Sequence, residues 1–129
     1  MPKEFSNLFD HFDHSFSKNP SKPALILDTG KEYNFTLLNH ISSKFASFFC
    51  ELGVKPGDRI SIQIDKSPES LCLYLACLKA GLTYHPLNPD YTENELSFFI
   101  ENAKPTVIVC IEKKSNLFKK LAQINEIDH

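Results

Sequence analysis

Leu71-Cys72-Leu73-Tyr74-Leu75-Ala76-Cys77-Leu78-Lys79-Ala80-Gly81-Leu82-Thr83-Tyr84-His85-Pro86-Leu87-Asn88 decides the fold. Eight consecutive apolar residues, Leu71 to Leu78, lead into Lys79, Ala80 and Gly81. Leu, Ala and Lys favour helix, and a Gly just past the last turn accepts a left-handed backbone. The pattern predicts a helix that ends at Gly81. Being apolar nearly all round, it should be buried. It is too short to span a bilayer. Leu82 to His85 then reads as a strand, stopped by Pro86 and Pro89. A buried helix feeding a short strand through one Gly is the αβ joint of a parallel sheet.

On the C-terminal side, Thr92 and Glu95 form a capping box, with Tyr91 and Leu96 placed as a hydrophobic staple. Leu96, Phe99, Ile100 and Ala103 supply the apolar face of a helix over 93–103, broken at Lys104-Pro105. Thr106 to Ile111 is a β-branched run, expected as a strand buried on both faces. On the N-terminal side, Gly53-Val54-Lys55-Pro56-Gly57-Asp58 makes a tight turn, and its Gly spacing in a loop is no membrane dimer motif. Arg59 to Ile64 alternates with period two, with Ile60, Ile62 and Ile64 on one face. Ser67 and Pro68 cap and open the central helix, and Glu69 sits near its positive end. Strand 59–64, helix 68–80, strand 82–86, helix 93–103 and strand 106–111 therefore predict a βαβαβ unit. The fold class is α/β, with a mostly parallel sheet and right-handed crossovers.

Two further elements are expected ahead of this unit. Phe5, Leu8, Phe9, Phe12 and Phe16 have the spacing of an amphipathic helix that ends at Lys18-Asn19-Pro20. Pro23 to Leu27 and Glu32 to Phe35 read as the strands of a β-hairpin, with Asp28-Thr29-Gly30-Lys31 as its turn. Thr36 is the expected cap of a following helix. Leu38, Ile41, Phe45, Phe48, Phe49 and Leu52 form that helix's stripe. Behind the unit, Leu117, Phe118, Leu121 and Ile124 have helical spacing over Ser115 to Ile124, with no stop signal before His129.

The chain has 129 residues, enough for one domain with a real core. Its net charge of -2 gives no field that would attract nucleic acid or an acidic membrane. Eleven Phe and no Trp predict a Phe-weighted core. Met-Pro-Lys-Glu opens without an apolar signal run, which points to a cytoplasmic protein. Cys50, Cys72, Cys77 and Cys110 form no Cys-x-x-Cys pair, so buried, reduced thiols are expected.

Leu78-Lys79-Ala80-Gly81-Leu82-Thr83-Tyr84-His85-Pro86-Leu87-Asn88 resembles the Leu-Lys-Ala-Gly-x-Ala-Tyr-x-Pro-Leu-Asp motif of the adenylate-forming enzymes. That family includes acyl-CoA synthetases, peptide-synthetase adenylation domains and luciferases. Gly53 to Ile60 is similar to the family's Gly-Val-x-x-Gly-Asp-x-Val turn into a strand. Asn34 to Leu38 stands where the family has Thr-Tyr-x-Glu-Leu, with Asn34 for Thr and Leu37 for Glu. Ser67-Pro68-Glu69 resembles the family's Asn-x-x-Glu helix entry, with Lys66 where Asn is common. Tyr84 to Leu96 looks most like the malonyl-CoA synthetase branch. The resemblance runs from about Asn7 to Ile111 and implies the N-terminal part of the family's fold. The chain would then be a single partial domain, 1–129, of an AMP-forming acyl-CoA synthetase. ATP, Mg²⁺ and coenzyme A are implied for the full-length parent and none for this fragment. The family's Ser/Thr/Gly-rich phosphate loop with its Lys has no counterpart here. Nor do its aromatic-Thr-Glu motif, later Asp and C-terminal Lys. The resemblance therefore carries over no catalytic, cofactor-binding or metal-binding residue.

The residues themselves leave a few candidates. The four Gly, at 30, 53, 57 and 81, fit neither a dinucleotide nor a P-loop pattern. Asp10-His11-Phe12-Asp13-His14 places two His three apart on a helix, either as metal ligands or as a solvated polar face. Asp65 follows a parallel strand, where an α/β site forms, and is a site residue or a turn residue. It would suit a phospho-accepting domain only with further carboxylates, and that strand end supplies none. His85, at the next strand end, is a general base or a structural residue. Two functions stay open: the scaffold fragment of an acid–CoA ligase, partnered by the rest of its parent, and a self-standing, non-catalytic α/β module. Continuation of the reading frame into a Ser/Thr/Gly-rich loop separates them.

Overall fold

The computed structural model describes residues 7–129. Helix α1 (Leu8–Phe16) starts at Asn7, whose side-chain oxygen accepts from the Asp10 amide. Phe5, the first member of the Phe stripe, and the Met1–Glu4 opening lie outside the described residues. Strands β1 (Pro23–Ile26) and β2 (Glu32–Asn34) pair antiparallel as the expected hairpin. Helix α2 (Phe35–Glu51) starts two residues earlier than a Thr36 cap would allow. Its cap is Asn34, which accepts from the Leu37 amide at 2.8 Å, while the Thr36 hydroxyl donates to the Pro20 carbonyl at 3.0 Å. Asn and Thr are both good caps, and the one that ends an extended strand takes the role.

The central unit follows as β3 (Arg59–Gln63), α3 (Pro68–Ala80), β4 (Thr83–Pro86), α4 (Glu93–Ala103) and β5 (Val107–Cys110). The three strands are parallel, in the order β4-β3-β5. Ser67 caps α3, and Gly81 ends it with φ +70. A Cβ at Gly81 would sit 3.4 Å from Pro56 Cβ, so conformation and space both favour glycine there. Thr92 and Glu95 close the expected capping box on α4. Pro86 does not stop the strand before it but is its last residue, opposite Ile62. Proline is tolerated there because β4 is an edge strand.

A single 3₁₀ turn, Glu112–Lys114, leads from β5 into α5 (Ser115–Ile124). This last helix has a stop that its residue types concealed. The Ile127 amide donates to the Ala122 carbonyl at 2.8 Å, and Glu126 takes a left-handed φ of 56. That is a Schellman ending with Glu in the position glycine usually fills.

Helices α2 and α3 cover one face of the sheet, where Phe49, Val54, Leu73, Ala76 and Cys77 pack against Ile60, Ile62 and Val107. Helices α4 and α5 cover the other, with Leu96, Ile100, Phe118 and Leu121 beneath Leu87 and beside Ile108 and Cys110. The hairpin closes a third cluster, in which Tyr33 meets Leu38 and Cys72. The central helix is buried as expected. Strand β5 is not buried on both faces: only Val107 is, and Ile108, Val109 and Cys110 are half-buried because nothing pairs beyond this edge strand. Phe48 and Ile124 belong to their helices' apolar stripes but stay exposed. Only two of the four thiols match the buried expectation, since Cys50 is exposed and Cys110 partly so.

Candidate functional site

Ligands of open α/β sheets sit at the carboxyl ends of the strands, where neighbouring connections leave on opposite faces. Here the β3 connection leaves toward α3 and the β5 connection toward α5. The crevice between β3 and β5 is therefore the place to look.

Gln63 ends β3 at that crevice and is 1% exposed. Its Nε2 donates to the Asn88 carbonyl at 2.7 Å, and its Oε1 accepts from Lys114 Nζ at 3.0 Å. Lys114 Nζ also donates to the Pro89 carbonyl at 2.7 Å. One side chain from β3 and one from the turn after β5 thus clasp the loop that follows β4. Two residues back along β3, Ser61 pairs in register with His85 of β4. This puts Ser61 Oγ 2.7 Å from His85 Nδ1. Arg59 continues the same face, and its Nη1 donates to the Ala103 carbonyl at the end of α4, at 2.9 Å.

These contacts decide the chemistry. Ser61 is 0% exposed, so its hydroxyl cannot reach a substrate. Burial, and then the Arg59 charge, hold His85 below the ordinary imidazole value of 6.5. A neighbouring cation disfavours the imidazolium that a general base must become. The donors and acceptors of the crevice are committed to one another. Among the described residues, no buried side-chain nitrogen or oxygen lacks a partner.

The other candidates lie apart from this clasp. Asp65 is exposed in the loop beyond β3. The Asp10 to His14 cluster lies on α1, on the α3 side of the molecule. No group of three or more His, Cys, Asp or Glu able to hold a metal occurs among the described residues. The α3 thiols are held protonated: burial pushes Cys72 up, and pushes Cys77 to about 12. The nearest cation to this helix has a positioning role. Lys79 Nζ donates to Asn39 O at 2.9 Å and to Ser43 Oγ at 2.6 Å, and lies 4.6 Å from the Phe9 ring centroid. It ties α3 to α2 and α1.

Gln63 and Lys114 were not among the sequence candidates. Their signal was the alternation itself. A strand in the middle of a parallel sheet is covered on both faces. Polar residues at Ser61 and Gln63 must therefore find buried partners.

A profile of the AMP-binding enzyme family matches residues 12–129, and the chain belongs to that family. The particular relatives are ligases and synthetases. The chain is 31% identical over 99 residues to the medium-chain fatty-acid–CoA ligase of Escherichia coli K12, which covers 77% of this chain and 18% of that one. It is 30% identical over 107 residues to a dimodular nonribosomal peptide synthase of Bacillus subtilis, over 83% of this chain and 4% of that one. ATP-bound MatB from Rhodopseudomonas palustris superposes with a TM-score of 0.88 at 33% identity, over 94% of this chain and 24% of the other. The fold is that of the N-terminal part of the adenylate-forming enzymes. The chain spans under a fifth of the E. coli ligase. No helix among its described residues is long and apolar enough to cross a membrane.

Proposed function

We propose that this chain is the N-terminal scaffold, a single partial domain over 1–129, of an AMP-forming acid–CoA ligase. The parent activates a carboxylic acid with ATP and Mg²⁺ as an acyl-adenylate and then passes the acyl group to coenzyme A. The Tyr84 to Leu96 stretch favours the malonyl-CoA synthetase branch. The observation that carries the reading is the match of 94% of this chain to only 24% of MatB. The clasp supports a holding role, because its polar groups are engaged with each other rather than with open space. Adenylation needs donors arranged around phosphates and a metal to offset developing charge. We assign no residue of this chain to catalysis, cofactor binding or metal binding. The partner is the remainder of the parent, in the cytoplasm, and without it the chain self-associates through uncovered apolar surface.

The encoding gene, sequenced past the His129 codon, tests the reading. A frame that continues into a Ser/Thr/Gly-rich loop with a Lys is the expected result. A stop codon there would overturn it in favour of a self-standing module.

A further inference from the structure

Two cavities meet at one pair of rings. Phe16 of α1 and Phe35 at the start of α2 stack with their centroids 4.7 Å apart. Both rings line a cavity of 310 Å³ whose other walls are mostly polar. Both also line a second cavity, of 260 Å³, whose walls are apolar. The backbone fixes the pair in place. Thr36 donates to the Pro20 carbonyl from its amide at 3.1 Å and from its hydroxyl at 3.0 Å. These two bonds hold the turn after α1 against the first turn of α2.

The polar walls of the first cavity come from Asp13, Ser17, Pro20, Thr36 and Asn39. Their donors are mostly committed elsewhere. The Ser17 amide donates to the Asp13 carbonyl at 2.9 Å, and its hydroxyl to the His14 carbonyl at 3.0 Å. The Thr36 amide and hydroxyl are both bound to Pro20, which has no N–H of its own. Hydroxyls with committed protons offer only lone pairs. Asp13 carries the only charge on the lining among the described residues, and it is exposed. Lys79 feels that charge through space, but its Nζ is held by Asn39 and Ser43 of α2 and stands outside the lining. One carboxylate, a set of lone pairs and two aromatic rings are complementary to a cation with an apolar body. An ammonium–carboxylate hydrogen bond is charge-assisted, and a cation near a Phe face is attracted by the ring.

The second cavity suits what such a cation carries. Phe12 of α1, Leu38 of α2 and Leu71, Tyr74 and Leu75 of α3 join the ring pair there. No charged side chain lines it among the described residues. An apolar cavity of about 150 Å³ stays dry and takes up a benzene-sized molecule. At 260 Å³ this one has room for a ring or a short hydrocarbon chain.

We propose that the junction of α1, the hairpin and α2 binds a small amphipathic amine. Its ammonium sits on Asp13, its body lies on the Phe16–Phe35 pair, and its apolar end points into the second cavity. The site lies apart from the Gln63–Lys114 clasp and does not depend on the fragment reading.

Phenethylamine, octylamine and phenylacetate are titrated into the 129-residue chain, and the Ser17 and Thr36 amide resonances are followed. Both amines are expected to shift them to saturation, and phenylacetate, with the opposite charge, is not. Asp13→Asn, folded by circular dichroism, should weaken both amines about tenfold or more, the factor that a hydrogen bond to a charged group supplies. Ala24→Leu adds bulk to the wall of the second cavity and should weaken octylamine several-fold while sparing phenethylamine. In the unaltered chain, the octylamine methyl should show nuclear Overhauser contacts to the Leu71 and Tyr74 side chains. The proposal is overturned if neither amine saturates, if phenylacetate binds as well, or if Asp13→Asn binds both amines unchanged. Absence of the methyl contacts, or equal weakening of both amines by Ala24→Leu, would overturn the placement of the apolar end.

Discussion

The two faces of the sheet are built differently from the same three strands. Beneath α2 and α3, Ile60, Ile62 and Val107 meet apolar side chains. Beneath α4 and α5, Ser61, Gln63 and His85 sit among hydrogen bonds at 2.7 to 3.0 Å. Apolar contact has no direction and stabilises in proportion to area. A buried hydrogen bond has direction and penalises any shift that breaks it. The α4/α5 face has its own apolar cluster of Leu96, Ile100, Phe118 and Leu121, and the hydrogen bonds are added beside it. The polar face sets the register of β4 against β3 and holds the loop after β4 to the turn after β5.

The largest effect is expected from a charge in α3, the helix that covers the apolar side, on its flank toward α1 and the hairpin. Leu75 of α3 is 3% exposed. An unpaired carboxylate there costs several kcal/mol, against a typical domain stability of about 5–15 kcal/mol. Leu75→Asp should leave the chain unfolded by circular dichroism. A cooperative melt at the wild-type temperature would mean that α3 lies at the surface.

Adjacent residues of β3 point to opposite faces of the sheet. Ile62→Ala should cost about 2–5 kcal/mol in urea unfolding. Gln63→Leu, on the opposite face, should cost about 1–3 kcal/mol, because it strands the Asn88 carbonyl and part of Lys114. The double variant Gln63→Leu/Lys114→Met should lose less than the sum of its singles. Strict additivity would show that the clasp is not one unit.

Acid should weaken the polar face through His85. Its ring stays neutral in the fold because burial and Arg59 lower its affinity for a proton. The unfolded chain then binds more protons than the folded one. This contribution is complete above the ordinary value of 6.5 and fades as pH falls through it toward the lower folded value. Between pH 7.5 and 5.5 the wild type should lose more melting temperature than His85→Gln. Parallel losses would remove His85 from the account.

The smallest effect concerns a chain ending. Glu126 takes a left-handed backbone, with φ 56, that costs a side-chain-bearing residue about 1–2 kcal/mol. Glycine avoids that strain but gives back part of the gain as unfolded-state entropy. Glu126→Gly should raise stability by up to about 1 kcal/mol in the same unfolding experiment.

Much of the fold was legible because its signals are local. Ser67, Gly81, Thr92 and Glu95 mark helix ends through bonds three or four residues away, and the elements they bound fall within a residue or two of expectation. What stayed hidden depends on neighbours distant in sequence. Nothing near Gln63 announces Lys114, 51 residues on, because only the strand order brings them together. The half-exposure of β5 follows from its place at the edge, which a β-branched run does not encode. Glu126 hid a helix stop because the backbone, not the residue type, carries it.

On the proposed reading this chain is scaffold and forms no acyl-adenylate by itself. Pyrophosphate release measures that directly, with the purified chain, ATP, Mg²⁺ and a panel of carboxylic acids that includes malonate. Release at the level of the protein-free control is expected for every acid. Release above that level, dependent on one acid, would contradict it.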